Sequence, residues 1–224
     1  MKIYTYFDAI DEDSSKQEEL IGFWIKSWEK NGYEAIVLER KDAEAHPFFK
    51  DFDANMSRIH KKMMSGSKGE ENIKAYGLSC YHRWLAYANQ PEADPFFVSD
   101  YDVYNTGFKV KNPIKHLHMM HNICPCFSSG TPMQFLDFCA DFIRHSDDNF
   151  DKISSTAKEF RWYHDQNFLI CNKEFLDARK IKFSFLPDWN KSLHHVSHQY
   201  VYDKFKVHSN LHSNRVKIIK DLLK

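Results

Sequence analysis

The order of apolar and polar positions near the start of the chain predicts a strand, a helix and a second strand. Residues 2–7 form an apolar run of strand length, and residues 34–39 form another. Between them, apolar residues recur at helical spacing until Asn31-Gly32 ends the pattern; they are Leu20, Ile21, Trp24, Ile25 and Trp28. Two strands joined by such a helix predict a parallel crossover unit.

Two further helices are predicted before the next strand, at residues 47–64 and 73–89. The segment between them, residues 65–70, is rich in Ser and Gly, which predicts a mobile loop. A short apolar run at residues 96–105 follows, and its first half predicts a buried strand that ends at two aspartates.

The remainder of the chain carries weaker patterns. They predict a strand at residues 122–127, a turn at 128–132, a helix with Pro132 at its first position, a loop or short helix at 147–158, a strand at 181–186 and a final helix starting near Ser213. No internal repeat or linker interrupts this order, so we expect one mixed α/β domain over residues 1–224.

The composition is typical of a compact globular protein. The 224 residues include 19 Phe, 11 Tyr and 5 Trp, but only 7 Gly and 7 Pro. Lys plus Arg and Asp plus Glu each number 31. The net charge therefore gives no reason to expect a nucleic acid or a membrane surface as a partner.

Three features lead us to expect a cytoplasmic protein without a membrane span. The first strand is followed at once by an acidic segment, unlike a signal peptide. No apolar run approaches the ~20 residues that a bilayer requires. The five cysteines are odd in number and lie mostly in apolar surroundings, as reduced thiols do: Cys80, Cys124, Cys126, Cys139 and Cys171.

The chain contains three Asp-x-Asp pairs, of which only Asp100/Asp102 follows a predicted buried strand. Ligands gather at the carboxyl ends of strands in α/β sheets. Two carboxylates separated by one residue point to the same face of an extended chain but stand about 6.6 Å apart along it, so both reach one cation most readily where the chain turns. Oxygen ligands with open positions suit Mg²⁺ or Mn²⁺. A strand-end turn with solvent-exposed acids is the alternative interpretation.

Four short motifs resemble those of nucleotide-sugar glycosyltransferases of the GT-A fold, whose DXD motif ends a strand. The motifs are Arg83 within residues 80–86, Asp100-Tyr101-Asp102-Val103, Asp165-Gln166-Asn167 and His194-His195-Val196-Ser197-His198. The resemblance implies a GT-A-like, Rossmann-type mixed sheet flanked by helices. It also implies that residues 1–105 bind the nucleotide and that residues 106–224 bind the acceptor and complete the metal site.

For the metal, the resemblance implies Asp102 as the most direct ligand, with Asp100 beside it or in contact with the donor. A late histidine often completes the metal shell in this family, which points to His194 or His195 ahead of His198. Carboxylates with a neutral imidazole favour Mn²⁺ somewhat over Mg²⁺. A solvated histidine-rich loop is the alternative.

For the donor, the resemblance implies contacts from Arg83 and Asp100, together with Tyr6, Ser129 and Gly130. An arginine at the surface, or one held in a salt bridge, would also explain Arg83. A plain helix-capping turn would explain Ser129-Gly130 equally well.

Asp165 and Gln166 are the residues that the resemblance implies for catalysis. Retaining members of the family use an Asp-Gln pair against the donor sugar. Inverting members place a carboxylate at a similar point, where it deprotonates the acceptor hydroxyl. Both roles stay open for Asp165.

The resemblance thus implies a metal-dependent glycosyltransferase that moves a sugar from a UDP- or GDP-sugar to a hydroxyl of a glycan or another acceptor. A nucleotidyltransferase is an alternative, although the acidic residues 8–13 are the opposite of the basic, glycine-rich triphosphate loop that this class needs. A non-catalytic module that binds a nucleotide or sugar is the other alternative.

Overall fold

The computed structural model describes residues 1–10, 14–63, 71–110, 116–119, 125–160, 164–171, 182–183, 192–206 and 211–223. The described strands are β1 (Lys2–Tyr6), β2 (Glu34–Leu38), β3 (Phe96–Ser99), β4 (Val103–Asn105), β5 (His118–Met119), β6 (Phe127–Gly130), β7 (Lys182–Phe183) and β8 (Leu193–His195). The described helices are α1 (Ser14–Glu29), α2 (Arg40–Glu44), α3 (Phe49–Met63), α4 (Glu71–Ala88), α5 (Pro132–Asp148), α6 (Phe150–Phe160), α7 (Asp165–Cys171), α8 (His198–Phe205) and α9 (Leu211–Leu222).

Among the described strands, six form one mixed sheet in the order β2-β1-β3-β6-β5-β7. β1 is parallel to both β2 and β3, whereas β6 is antiparallel to β3 and β5. The predicted parallel crossover from β1 through α1 to β2 is confirmed. Because β1, β2 and β3 run in the same direction, their carboxyl ends lie at one edge of the sheet.

The turn after α1 shows why the helix ends where the sequence predicts. Gly32 adopts φ +87°, a conformation that residues with a side chain rarely take. The amide of Gly32 donates to the carbonyl of Glu29 at 2.9 Å, and the amide of Tyr33 donates to that of Trp28 at 3.2 Å. These bonds satisfy carbonyl groups at the end of the helix and turn the chain into β2.

The sheet has a hydrophobic core on each face, as the alternation of strand side chains dictates. Tyr4 and Val98 belong to the core with α3, α4 and α5, whereas Ile3 and Phe97 belong to the core with α1 and α9. The predicted α/β class, with helices flanking a mixed sheet in a single domain, is therefore confirmed. None of the described helices is apolar over a long enough stretch to cross a membrane.

A second, two-stranded sheet joins distant parts of the chain. β4 and β8 are antiparallel, with Val103 opposite His195 and Asn105 opposite Leu193. The pairing continues past the ladder, where the Val196 amide donates to the Asp102 carbonyl at 2.8 Å. The segment after Asp102 is thereby held against β8, which contains His194 and His195.

Several predicted boundaries are wrong. Residues 128–130 belong to strand β6 instead of a turn, because their backbone pairs with β3 and β5. The helix predicted at 47–64 begins at Phe49, after the separate helix α2. The predicted loop at 65–70, residues 122–124 and residues 184–186 lie outside the described residues.

Candidate functional site

The chain turns sharply between Asp100 and Asp102. The Asp100 amide donates to the carbonyl of Cys126 at 2.8 Å, which ends the pairing of β3 with the segment before β6. The Val103 amide then donates to the Asp100 carbonyl at 3.0 Å and closes the turn. This turn shortens the separation of Asp100 and Asp102 along the chain, as one cation between the two carboxylates requires.

Helix α1 holds both ends of this turn. The indole nitrogen of Trp24 donates to Ser99 Oγ at 2.9 Å, just before the turn. That of Trp28 donates to the carbonyl of Val103 at 3.1 Å, just after it. Both tryptophans are fully buried, so their positions are determined by the core beneath the turn.

Asp100, Asp102 and His195 form a compact group of potential metal ligands. One ligand atom of each lies within 4.8 Å of the others. His195 Nε2 lies 3.5 Å from Asp102 Oδ1, and strand β8 brings the imidazole there by pairing with β4. Two carboxylate oxygens and an imidazole nitrogen are a donor set that fits Mn²⁺ or Mg²⁺.

The electrostatics of Asp100 favour a cation at this point. Burial raises the pKa of Asp100, and the charge of Asp102 raises this pKa further, against the opposing effect of Arg83. The outcome is a pKa above its ordinary value, as expected for two carboxylates that share a site. A positive charge between Asp100 and Asp102 would relieve this repulsion.

Arg83 connects Asp100 to Asp165. From α4, its Nη1 donates to Asp100 Oδ1, while Nε and Nη2 donate to Asp165 Oδ2 at 3.0 and 2.5 Å. The Arg83 side chain is only 12% exposed. The structure therefore brings together three residues that the sequence placed in separate motifs.

Asp165 is buried at the start of α7 and is held by several donors. The Trp84 indole nitrogen donates to Asp165 Oδ2 at 2.8 Å, and His164 Nδ1 lies 3.5 Å from Oδ1. Burial alone would raise the pKa of Asp165, but the charge of Arg83 and the hydrogen bond from Trp84 hold it below its ordinary value. Because a carboxylate in this state is a weak base, the surroundings favour a role in positioning Arg83 over a role in proton transfer.

Arg215, which the sequence reading missed, reaches the site from α9. Its Nη2 donates to Asp102 Oδ2 at 2.7 Å, and its Nε donates to the Val196 carbonyl at 2.9 Å. One signal was available: Arg215 lies on the apolar stripe of α9, at helical spacing from Ile218, Ile219 and Leu222. A charged residue at such a position needs a buried partner.

His194 does not join the cluster. His194 and His195 are neighbours in β8, so their side chains point to opposite sides of the strand. His194 Nε2 lies 3.1 Å from Thr106 Oγ1. The side chain of His198 lies outside the described part of the structure.

Ser129 and Gly130 are not brought to the cluster either. Ser129 is fully buried within β6, and Gly130 pairs with Phe96, at the end of β3 away from Asp100. A β-carbon added at Gly130 would meet side chains of its neighbours at 3.1–3.2 Å, so packing accounts for this glycine.

Tyr6 and Gln166 belong to elements that adjoin the cluster. Tyr6 ends β1, next to β3, and its hydroxyl donates to Asp8 Oδ2 at 3.4 Å. Gln166 follows Asp165 in α7, and its backbone amide donates to His164 Nδ1 at 3.1 Å. Both remain candidates for contacts with a ligand.

No protein-family model matches the chain, and a search of curated protein sequences found no match. A function is therefore inferred from the chain's own residues. At the edge where β3 ends, three carboxylates, two guanidinium groups and one imidazole converge from five separate segments of the chain.

Proposed function

We propose that this chain is a metal-dependent glycosyltransferase that moves a sugar from a UDP- or GDP-sugar to an acceptor hydroxyl. The observation that carries the proposal is the group of ligand atoms from Asp100, Asp102 and His195 at the carboxyl end of β3. The resemblance of the sequence motifs to those of GT-A-fold enzymes supports this reaction class over others that use a divalent cation.

The charges around the cluster suit a diphosphate together with a divalent cation. Asp100, Asp102 and Asp165 oppose the two guanidinium groups of Arg83 and Arg215, which leaves one net negative charge when all five are ionised. A divalent cation would change the net charge to one positive, and this favours an anionic ligand. When bound, the cation stabilises the negative charge that develops on a departing diphosphate.

The residues around the cation have distinct expected roles. Asp100, Asp102 and His195 would hold the metal. Arg83, fixed by Asp165 and Trp84, offers a positive charge beside Asp100 and needs little reorganisation to meet a phosphate.

The position of the cluster in the sheet supports a nucleotide ligand. The carboxyl ends of parallel strands are where nucleotides bind in open α/β sheets. Here β1, β2 and β3 end at the same edge as Asp100, and Tyr6 lies at that edge too. The nucleoside is therefore expected over the ends of these three strands.

A binding panel tests the proposal. Purified protein is mixed with UDP, GDP, their sugar conjugates or nucleoside triphosphates, each with Mn²⁺, Mg²⁺ or EDTA, and the melting temperature is measured. A diphosphate ligand should stabilise the fold only with metal, by about 2.7 kcal/mol at roughly 100 times its dissociation constant. No metal-dependent stabilisation by any nucleotide would refute the proposal.

The matched variants are Asp102→Asn and Asp51→Asn. Asp102→Asn removes a ligand charge without changing the size of the side chain, so metal-dependent stabilisation should be lost. Asp51 is an exposed aspartate of another Asp-x-Asp pair, and its substitution should leave that stabilisation unchanged.

An activity assay separates a transferase from a binding module. Consumption of the donor in the presence of candidate acceptors, monitored by NMR, indicates a transferase. Release of pyrophosphate from nucleoside triphosphates would indicate nucleotidyl transfer instead.

A further inference from the structure

We propose that Arg215 is a positioning residue for the metal site, through which helix α9 controls the cation affinity of Asp102. This inference rests on the proposed function and goes beyond it, because no residue of α9 is among the expected metal ligands.

Three hydrogen bonds form a closed ring through Arg215. The Val196 amide donates to the Asp102 carbonyl at 2.8 Å. Arg215 Nε donates to the Val196 carbonyl at 2.9 Å, and Arg215 Nη2 donates to Asp102 Oδ2 at 2.7 Å. The Arg215 side chain is 4% exposed, so the ring is shielded from water. It connects the turn after β3, the end of β8 and helix α9.

The ring determines which oxygen of Asp102 faces the ligand cluster. Arg215 holds Oδ2, and Oδ1 lies on the side of His195, 3.5 Å from its Nε2. The planar guanidinium group donates in two fixed directions, one to Val196 and one to Asp102. A lysine ammonium group cannot reproduce both directions.

The charge of Arg215 alone would have the opposite effect on a cation. A guanidinium group beside Asp102 repels a metal ion, so a purely electrostatic role predicts tighter cation binding when the charge is removed. A positioning role predicts weaker binding, because Asp102 loses its orientation. The sign of the change therefore distinguishes the two roles.

Helix α9 has other contacts that keep it in place without Arg215. It packs on α1, where Lys220 Nζ lies 2.9 Å from Glu19 Oε1. Val216 and Ile219 are buried in the core shared with α1. Substitution of Arg215 is therefore expected to leave the helix docked.

The test compares Mn²⁺ affinities, measured by the loss of the electron paramagnetic resonance signal of free Mn²⁺. The variants are Arg215→Met, Arg215→Lys and the control Lys217→Met, which removes an exposed cation from the same helix. We expect affinity to fall roughly 10- to 100-fold for Arg215→Met, by less for Arg215→Lys, and to stay the same for Lys217→Met. Circular dichroism confirms that each variant is folded.

Two results would contradict this inference in distinguishable ways. If Arg215→Met binds Mn²⁺ as tightly as the wild type or more tightly, the positioning role is refuted while the metal site stands. If the wild type binds no Mn²⁺, the metal site and the positioning role are both refuted.

A second measurement needs no variant. Coupling between two sites is reciprocal, so a cation that depends on Arg215 should in turn stabilise the docking of α9. Hydrogen exchange of α9 amides should slow when Mn²⁺ is added, by more than exchange in α3, which lies in the other core. Equal slowing in both helices, or none in α9, would refute the coupling.

Discussion

Two adjacent histidines differ in what they can do because a strand presents neighbouring side chains to opposite sides. His195 lies beside Asp102, whereas His194 lies beside Thr106. The sequence alone left both open as metal ligands. The register between β8 and β4 separates them.

The first prediction uses these histidines as a matched pair. His195→Ala should weaken Mn²⁺ binding at least about tenfold. Removing a residue that only hydrogen-bonds to a metal ligand already costs roughly tenfold or more in metal affinity, and His195 is expected to be a ligand itself. His194→Ala should leave the affinity unchanged. Isothermal titration calorimetry measures both. Loss of affinity in His194→Ala alone would show that the wrong histidine has been assigned.

The site residues that sequence reading found were those in short motifs. Asp100, Asp102 and Asp165 stand beside recognisable neighbours in the chain, and Arg83 lies within a separate short motif, residues 80–86. Arg215 was missed because its partner, Asp102, is 113 positions away. Pairing across such a distance follows from tertiary structure, which no local pattern records.

At the scale of elements, long patterns were predictable and short ones were not. The crossover β1–α1–β2, the helix α4 and the final helix follow from patterns over many residues, and β3 follows from a short but wholly apolar run. β4, β5 and β8 contain two or three residues each and are strands only because distant partners pair with them. Residues 128–130 were wrongly predicted to form a turn because Ser and Gly favour turns. Pairing with β3 makes these residues a strand.

The start of α5 provides a prediction at this scale. Thr131 Oγ1 accepts from the Gln134 amide at 3.3 Å, and Gln134 Oε1 accepts from the Thr131 amide at 2.9 Å. Thr131→Ala removes one bond of this capping box and should lower the free energy of unfolding by about 1 kcal/mol. Thr131→Ser keeps the hydroxyl and should cost much less. Urea denaturation measures both, and equal losses in the two variants would argue against a capping role.

At the scale of the whole molecule, the candidate site forms only when both parts of the chain are folded. Arg83, Asp100 and Asp102 precede residue 106, whereas Asp165, His195 and Arg215 follow it. Arg83 and Asp165 are separated by 82 positions. Contacts of such long range form late and slowly in folding. The proposed metal site therefore depends on both parts of the chain, and a fragment ending at residue 105 would lack half of the cluster.

The stability of the whole fold should also depend on pH through His82. This histidine is 1% exposed in α4, and its Nε2 lies 2.8 Å from Asp53 Oδ1. Burial, helped by the charge of Arg40, lowers the pKa of His82 despite Asp53. The folded state therefore favours the neutral imidazole. The resulting contribution to stability is fully present above the pKa that His82 has in the unfolded chain, about 6.5.

That stability should be lost as the pH falls below about 6.5 towards the lower folded pKa of His82. The free energy of unfolding should thus decrease between about pH 7 and pH 5, above the range where most carboxylates titrate. His82→Gln should make this slope shallower. Thr131→Ala, which removes no titratable group, should lower stability without changing the slope. An unchanged slope in His82→Gln would contradict the assignment.

The indole contacts around the motif have a practical consequence. Trp24 and Trp28 bond to the residues on either side of the Asp100–Asp102 turn, and Trp84 bonds to Asp165. Among the described residues, the tryptophans are these three, and all of them are buried. Indole fluorescence depends on the partner of the ring nitrogen and on local polarity. The protein therefore carries its own optical reporter beside the site, so ligand titrations can be followed by emission without a label.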